Sequence, residues 1–211
     1  ALAEGRVRMA PATLALARLL PQARITAVDF LAPFLTGLAQ RAARAEVSSR
    51  VTPLEASMSE LPFADGQFDL LWSEGAIYNM GFENGVKSWW RFLRPGGVLV
   101  ASELTWTTGI RPPELQAHWT REYPEVDTAS AKLAVLERNG YSPLGYFVLP
   151  EPCWTDNYYA PLRAGFSAFL TRHGHSEEAR AVVAENEQEI ALYEAHKAHF
   201  SYGFYIAGRV G

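Results

Sequence analysis

A chain of 211 residues with a formal charge of −4 suits one domain of ordinary size, and with no basic block it gives no reason to expect nucleic acid. Its apolar runs fall short of the roughly 18 residues of a membrane span, and no signal-peptide pattern opens it. The single cysteine, Cys153, cannot form an internal disulfide, so a reducing cytoplasm is the expected setting.

In chain order, "PATLALARLL" from Pro11 reads as a helix, with proline in the first turn and Ala and Leu propagating it. "ARITAVDF" reads as a strand that stops on Asp29, an acid at the edge of a core that needs a partner there. "LAPFLTGLAQRAARAEV" is amphipathic, with Leu31, Phe34, Leu35 and Leu38 on one side. "RVTPLEASM" is a short strand leading into a loop. "ELPFADGQFDLLWSEGA" holds a turn at Asp65-Gly66 and a strand over Phe68 to Trp72. "FENGVKSWWRFLRPGG" is a helix stopped by Pro95 and two glycines, and "VLVASELTW" is the next strand.

This alternation of helices with short apolar strands predicts a parallel sheet covered on both faces. Residues 107–135 break it. They are rich in Pro, Thr and Trp and are expected to form an inserted helical lid over the sheet edge. A helix ending at Asn139-Gly140, a strand at "YFVLP", and a helical cap over about 153–200, broken at "RHGHS", come next. "SYGFYIAGRV" alternates and closes the chain as a strand. Nothing reads as a linker, so residues 1–211 are expected to form a single domain.

Taken together, "AVDF", "LEASMSELPFADGQFDLLWSEGAIYN" and "FLRPGGVLVASE" resemble, in order and spacing, the class I S-adenosylmethionine-dependent methyltransferases. The likeness is to small-molecule enzymes of the ubiquinone/menaquinone-methyltransferase-like type and covers roughly residues 11–106. It implies an α/β, Rossmann-like, seven-stranded and mostly parallel sheet with an antiparallel last hairpin strand. It also implies S-adenosyl-L-methionine as cofactor, a small-molecule partner, and transfer of the methyl group by in-line displacement. Asp29 would then accept hydrogen bonds from the ribose diol, with Phe30 beside it, since ligands of open α/β sheets bind beyond the C-terminal strand ends. Ser57 and Met58 fall where the family holds adenine. Ser73 and Glu74 end the fourth strand of the pattern, with Tyr78 and Asn79 a turn later, where the family faces the methyl group and the substrate. Glu74 and Tyr78 are the catalytic candidates, and a carboxylate there can hold an amine or accept a proton. Glu74 as a cap or surface ion pair, and Asp29 as a helix cap, stay open beside these roles, and Glu103 carries the same ambiguity.

The family's glycine-rich loop is the piece that does not match. Its expected place reads "ALAEGRVRMAPATLALA", with Gly5 alone standing for the cofactor glycines and "RV" for a strand start. Either the protein is a non-catalytic relative that binds a ligand or partner, or residues between Gly5 and Met9 are not continuous. The second is preferred because every later motif is intact, and it predicts a chain break there.

The chain carries six Trp and nine Tyr, many of them between Trp72 and Tyr159. Trp106, Trp154, Tyr158 and Tyr159, with Asn79, are the substrate-binding candidates, since flat apolar faces with polar tips suit small-molecule pockets. His196 and His199 lie one helical turn apart with no third ligand nearby, so no metal is expected. Oligomeric state is left open.

Overall fold

Ile25–Asp29 and Val51–Glu55, two short apolar runs, pair as parallel strands β1 and β2, in a register that sets Asp29 opposite Glu55. The computed structural model describes residues 9–211, which divide into two compact units at Phe63/Ala64. In the first unit α1 (Met9–Leu19) precedes β1, and α2 (Ala32–Arg44) forms the crossover to β2. Leu35, Leu38 and Ala42 give α2 its buried stripe; each leucine side chain so removed from water contributes about 1.5–3 kcal/mol. Leu31, expected on that stripe, is exposed at the helix entry. Ala17, Ala27, Leu38, Ala42, Val47 and Val51 make the core. Arg50 fastens α1 to it: its guanidinium donates to the carbonyls of Ala17 (2.7 Å), Ala23 (3.2 Å) and Leu20 (3.3 Å). These include carbonyls at a helix C-terminus that the helix leaves unsatisfied.

The second unit is built on a five-stranded mixed sheet. Its path runs β3 (Phe68–Ser73), β4 (Leu93–Trp106), β7 (Phe200–Arg209) and β6 (Tyr141–Val148), with the two-residue β5 (Asp127–Thr128) pairing the end of β4. β3 and β5 are parallel to β4; β7 is antiparallel to both β4 and β6. The expected single seven-stranded sheet is corrected accordingly: among the described residues seven strands divide two and five, and the larger sheet is mixed. β7, the expected antiparallel closing strand, returns after a long helical segment and lies between β4 and β6. The expected strand start at Arg6-Val7 lies outside the described residues.

β4 is the central strand, and every residue from Leu99 to Trp106 is buried. Its polar members therefore need internal partners. Ser102 Oγ accepts from the Gly75 N–H at 2.8 Å, Glu103 pairs with Lys132, and Thr105 Oγ1 lies 2.8 Å from the Tyr205 hydroxyl.

Residues 107–135 are not wholly a lid. They hold α4 (Pro113–Glu122), β5, and the start of α5 (Ala129–Arg138), which buries Lys132, Val135 and Leu136. The later helical segment holds α6 (Glu151–Trp154), a π-helical turn over Thr155–Tyr159, α7 (Ala160–Arg172) and α8 (Glu177–His196), as the sequence pattern placed it. α7 stops short of Gly174, and Ser176 caps α8 by accepting from the Ala179 N–H at 3.2 Å. α3 (Phe82–Trp89) links β3 to β4. Among the described residues no helix is long and apolar enough to cross a membrane.

Candidate active site

In the first unit the candidates gather at the C-terminal ends of β1 and β2. The Ala56 N–H donates to the Asp29 carbonyl at 3.1 Å, which brings the loop after β2 alongside the end of β1. Asp29 Oδ1 accepts the Leu31 N–H at 2.8 Å and so orders the entry to α2. Oδ2 makes no hydrogen bond among the described residues. Oδ1 thus does what the cap reading of Asp29 expects, serving the entry to α2. Phe30 is 72% exposed, a large apolar ring set beside that carboxylate. Ser57 Oγ lies 2.7 Å from Ser59 Oγ and accepts the Ser59 N–H at 3.3 Å, a local turn that fixes the loop; Met58 is half-buried. Gly5, the remaining cofactor candidate, lies outside the described residues, as does most of the expected break before Met9.

In the second unit β3 ends on Ser73, which is buried with an Oγ that has no hydrogen-bond partner. Glu74 is exposed, and its Oε2 accepts the Trp72 indole N–H at 3.4 Å. Gly75 turns the chain at φ +59°, a conformation that favours glycine, and Ser102 on β4 holds its N–H. A 3₁₀ turn over Ile77–Met80 follows, anchored by buried Ile77. Tyr78 lies half-buried, its ring edge-on to Tyr123 at 6.0 Å. Asn79 is exposed and its Nδ2 donates to the Ala76 carbonyl at 2.9 Å. Strand end, turn and 3₁₀ segment thus hold Ser73, Glu74 and Tyr78 on one fixed stretch of backbone.

The aromatic candidates separate. Trp106, Trp154 and Tyr159 sit inside one buried cluster with Leu104, Ile190, Tyr193 and Phe200. Their polar tips are all engaged within the protein: Trp106 Nε1 donates to the Val126 carbonyl (3.1 Å), Trp154 Nε1 to Ser201 Oγ (2.9 Å), and the Tyr159 hydroxyl to Glu189 (3.0 Å). Tyr158 packs against the edge of the cluster, half-buried.

The pattern in the sequence did not find Tyr202, Ser102 or Lys132. Tyr202 is half-buried, stacks on Trp154 and packs against the same cluster. Read from sequence it was one aromatic in an alternating strand, and its proximity to the Gly75 turn exists only through the β4–β7 pairing. Glu103 is fully buried; burial pushes its carboxyl above the usual range and the Lys132 ammonium opposes this. Glu103 Oε2 and the Tyr123 hydroxyl make no well-formed hydrogen bond, and burial, with the Glu103 charge next, pushes the phenol far up. Among the described residues no group of three His, Cys, Asp or Glu is arranged to hold a metal.

Residues 10–97 match the family model of the methyltransferase domain. No curated protein matches the chain. Among solved structures it is similar to a methyltransferase from Thiobacillus denitrificans described as SAM-dependent and in complex with S-adenosyl-L-homocysteine, at 18% identity and TM-score 0.81 over 95% of this chain and 81% of that one. A SAM-dependent methyltransferase from Geobacter sulfurreducens, also with S-adenosyl-L-homocysteine, is 22% identical, with TM-score 0.75 over 87% and 74% of the two chains. The [4+2]-cyclase SpnF shares the fold at 20% identity and TM-score 0.76, over 96% and 72%. The match to the methyltransferase-domain model thus runs from α1 into β4, and the chain shares the fold of these S-adenosylmethionine-dependent methyltransferases.

Proposed function

We propose that the chain transfers the methyl group of S-adenosyl-L-methionine to a small-molecule acceptor, with Asp29, Phe30, Ser57, Met58 and Ser73 serving the cofactor and Glu74 and Tyr78 the chemistry. The observation that carries this is the end of β3, where a buried unpartnered Ser73 Oγ, an exposed Glu74 and a glycine turn held by Ser102 follow one another. When bound, S-adenosyl-L-methionine supplies an electrophilic methyl carbon whose bonding pair returns to sulfur as the acceptor's lone pair takes the methyl group. The chain's own work is alignment and proton removal. The Asp29 Oδ2 takes the ribose diol. Ser73 Oγ supplies a polar contact at the strand end. Glu74 receives the acceptor's proton and, being exposed, passes it to water. Tyr78, braced edge-on by Tyr123, limits how the acceptor lies. Asn79 and Tyr158 line the acceptor side, and the buried rings of Trp106, Trp154 and Tyr159 pack behind it.

A single domain in a reducing cytoplasm fits this reading, given the free thiol of Cys153 and a family match that runs continuously over residues 10–97. Calorimetry with S-adenosyl-L-homocysteine tests it directly. Micromolar binding that Glu74→Gln leaves intact is expected; no binding by the parent protein would overturn methyl transfer. The second reading, a relative without methyl transfer, is favoured by the cyclase of the same fold, since fold does not fix function. It predicts cofactor binding with no S-adenosyl-L-homocysteine formed from any amine, phenol or carbon acceptor.

A further inference from the structure

We infer that Tyr123 is a positioning residue for methyl transfer: the buried Glu103–Lys132 pair fixes its side chain, and its ring fixes that of Tyr78. This deepens the methyl-transfer reading of the loop after β3 and rests on it.

The loop is tied to β4 at its start, where Ser102 Oγ accepts the Gly75 N–H at 2.8 Å. At its far end the 3₁₀ turn fixes the Tyr78 backbone, whose carbonyl accepts the Gly81 N–H at 3.1 Å. Neither contact sets the Tyr78 ring. That ring meets Tyr123 edge-on, with centroids 6.0 Å apart and planes at 75°, a geometry that aromatic pairs favour.

Tyr123 is held in turn. It closes α4, its N–H donating to the Trp119 carbonyl at 2.9 Å and its carbonyl accepting the Val126 N–H at 3.2 Å. Two residues on, Glu125 Oε2 accepts the Phe82 N–H at 2.8 Å and fastens this segment to the start of α3, directly after the catalytic turn. The ring faces the Lys132 ammonium, 5.8 Å from Nζ to its centroid, within cation–π range. Lys132 has one place: it is 4% exposed, 3.2 Å from Glu103 Oε1, and its ammonium sits 4.8 Å from the Phe82 ring centroid.

The phenol completes the chain. Its buried hydroxyl and the buried Glu103 Oε2 both touch this network without a well-formed hydrogen bond, a condition rare enough in a core to require a reason. One is a donor and the other an acceptor, so a phenol turned to the carboxylate satisfies both. Beneath the larger effect of burial, the phenol draws the Glu103 carboxyl down and the carboxylate draws the phenol up, as a facing donor and acceptor do. Ser102 and Glu103, neighbours whose side chains leave β4 on opposite faces, thus divide the work. One holds Gly75 directly; the other holds Tyr78 through Lys132 and Tyr123.

The test uses the full chain saturated with S-adenosyl-L-homocysteine, with a fluorine label in the Tyr78 ring read by fluorine NMR. Tyr123→Phe keeps the ring edge and removes only the hydroxyl. It is expected to broaden the Tyr78 signal and move it toward its position in the denatured chain, with S-adenosyl-L-homocysteine affinity kept within about twofold. Glu103→Gln, whose amide oxygen is a weaker acceptor than a carboxylate, should move the signal the same way and less. Tyr205→Phe is the control for general loosening: it removes the buried hydroxyl 2.8 Å from Thr105 Oγ1 and should leave the Tyr78 signal in place. In Tyr123→Phe the Glu103 carboxyl loses a donor to its charged form and should titrate at higher pH than in the parent. A Tyr78 signal unchanged by Tyr123→Phe, or moved equally by Tyr205→Phe, would overturn the inference, and an unmoved Glu103 titration would overturn the part given to the ion pair. If S-adenosyl-L-homocysteine does not bind the parent, methyl transfer falls and this inference with it; if it binds and Tyr78 does not respond, only the positioning falls.

Discussion

Lys132 Nζ lies 3.2 Å from Glu103 Oε1 across the floor of the second unit, with side chains 4% and 0% exposed. The ammonium also sits over the Phe82 ring at 4.8 Å. A pair so fully removed from water adds little net stability over an apolar replacement, but losing one partner strands a buried charge. Lys132→Met is therefore expected to lower unfolding free energy by about 3–5 kcal/mol, and adding Glu103→Gln to recover most of the loss. Urea unfolding of the two variants decides; a Lys132→Met protein as stable as the parent would show that the pair is not closed to solvent.

The same carboxyl sets a pH dependence. Burial is the largest influence on Glu103 and raises it above its unfolded value, with Lys132 working against it. A raised folded value means the native state holds the proton more tightly, so this contribution is complete below the ordinary carboxylate range and lost as pH rises through the raised value. Glu103→Gln should flatten the fall in stability over that interval. An unchanged pH profile would assign the slope to another group.

Glu83 on α3 behaves oppositely. Arg138 and Asn139 donate to it, at 2.6 and 2.8 Å from the guanidinium and 3.2 Å from the amide, and hold its carboxyl at about 2. Its contribution is present above the ordinary carboxylate value and disappears as pH falls toward about 2. Carboxyl resonances followed by NMR should show this midpoint. Arg138→Ala should return it toward the ordinary range; a midpoint that stays low would leave Asn139 as the cause.

Trp106 changes its meaning between sequence and structure. As a buried member of the cluster its truncation leaves a cavity, and Trp106→Ala should cost about 3–5 kcal/mol. Thermal unfolding tests this. A variant that keeps the parent melting temperature yet loses turnover would return Trp106 to the acceptor.

Strands and helices were legible because period and punctuation are local: the acid ending β1, the Asp65-Gly66 turn and the break at "RHGHS" are all read within a few residues. The order of strands was not. Whether β7 enters between β4 and β6 depends on pairings across roughly a hundred residues, such as Trp106 with Phe200, and no short pattern encodes them. The site divided the same way. Ser73 and Glu74 follow from their place at a strand end, whereas Tyr202 reaches Gly75 only after β7 has docked. The aromatic segment misled because core and pocket draw on the same residues; what separates them is whether the indole N–H is already satisfied, as in Trp154 by Ser201.

Asp29 offers the sharpest test of the cofactor half, because its two oxygens have separate tasks. Oδ1 holds the Leu31 N–H, and Oδ2 is proposed for the ribose diol. Asp29→Ala removes both and should cost stability at the entry to α2 as well as affinity. Asp29→Asn keeps an oxygen for Leu31 and replaces the other with an amide that donates where the diol also donates. Asparagine should therefore leave the melting temperature near the parent's and still weaken S-adenosyl-L-homocysteine by about 1.5–3 kcal/mol, roughly 10- to 150-fold. Calorimetry on the two variants, each checked for folding, separates the roles. If asparagine binds like the parent while alanine loses only stability, Asp29 serves the helix alone and the ribose must be held elsewhere.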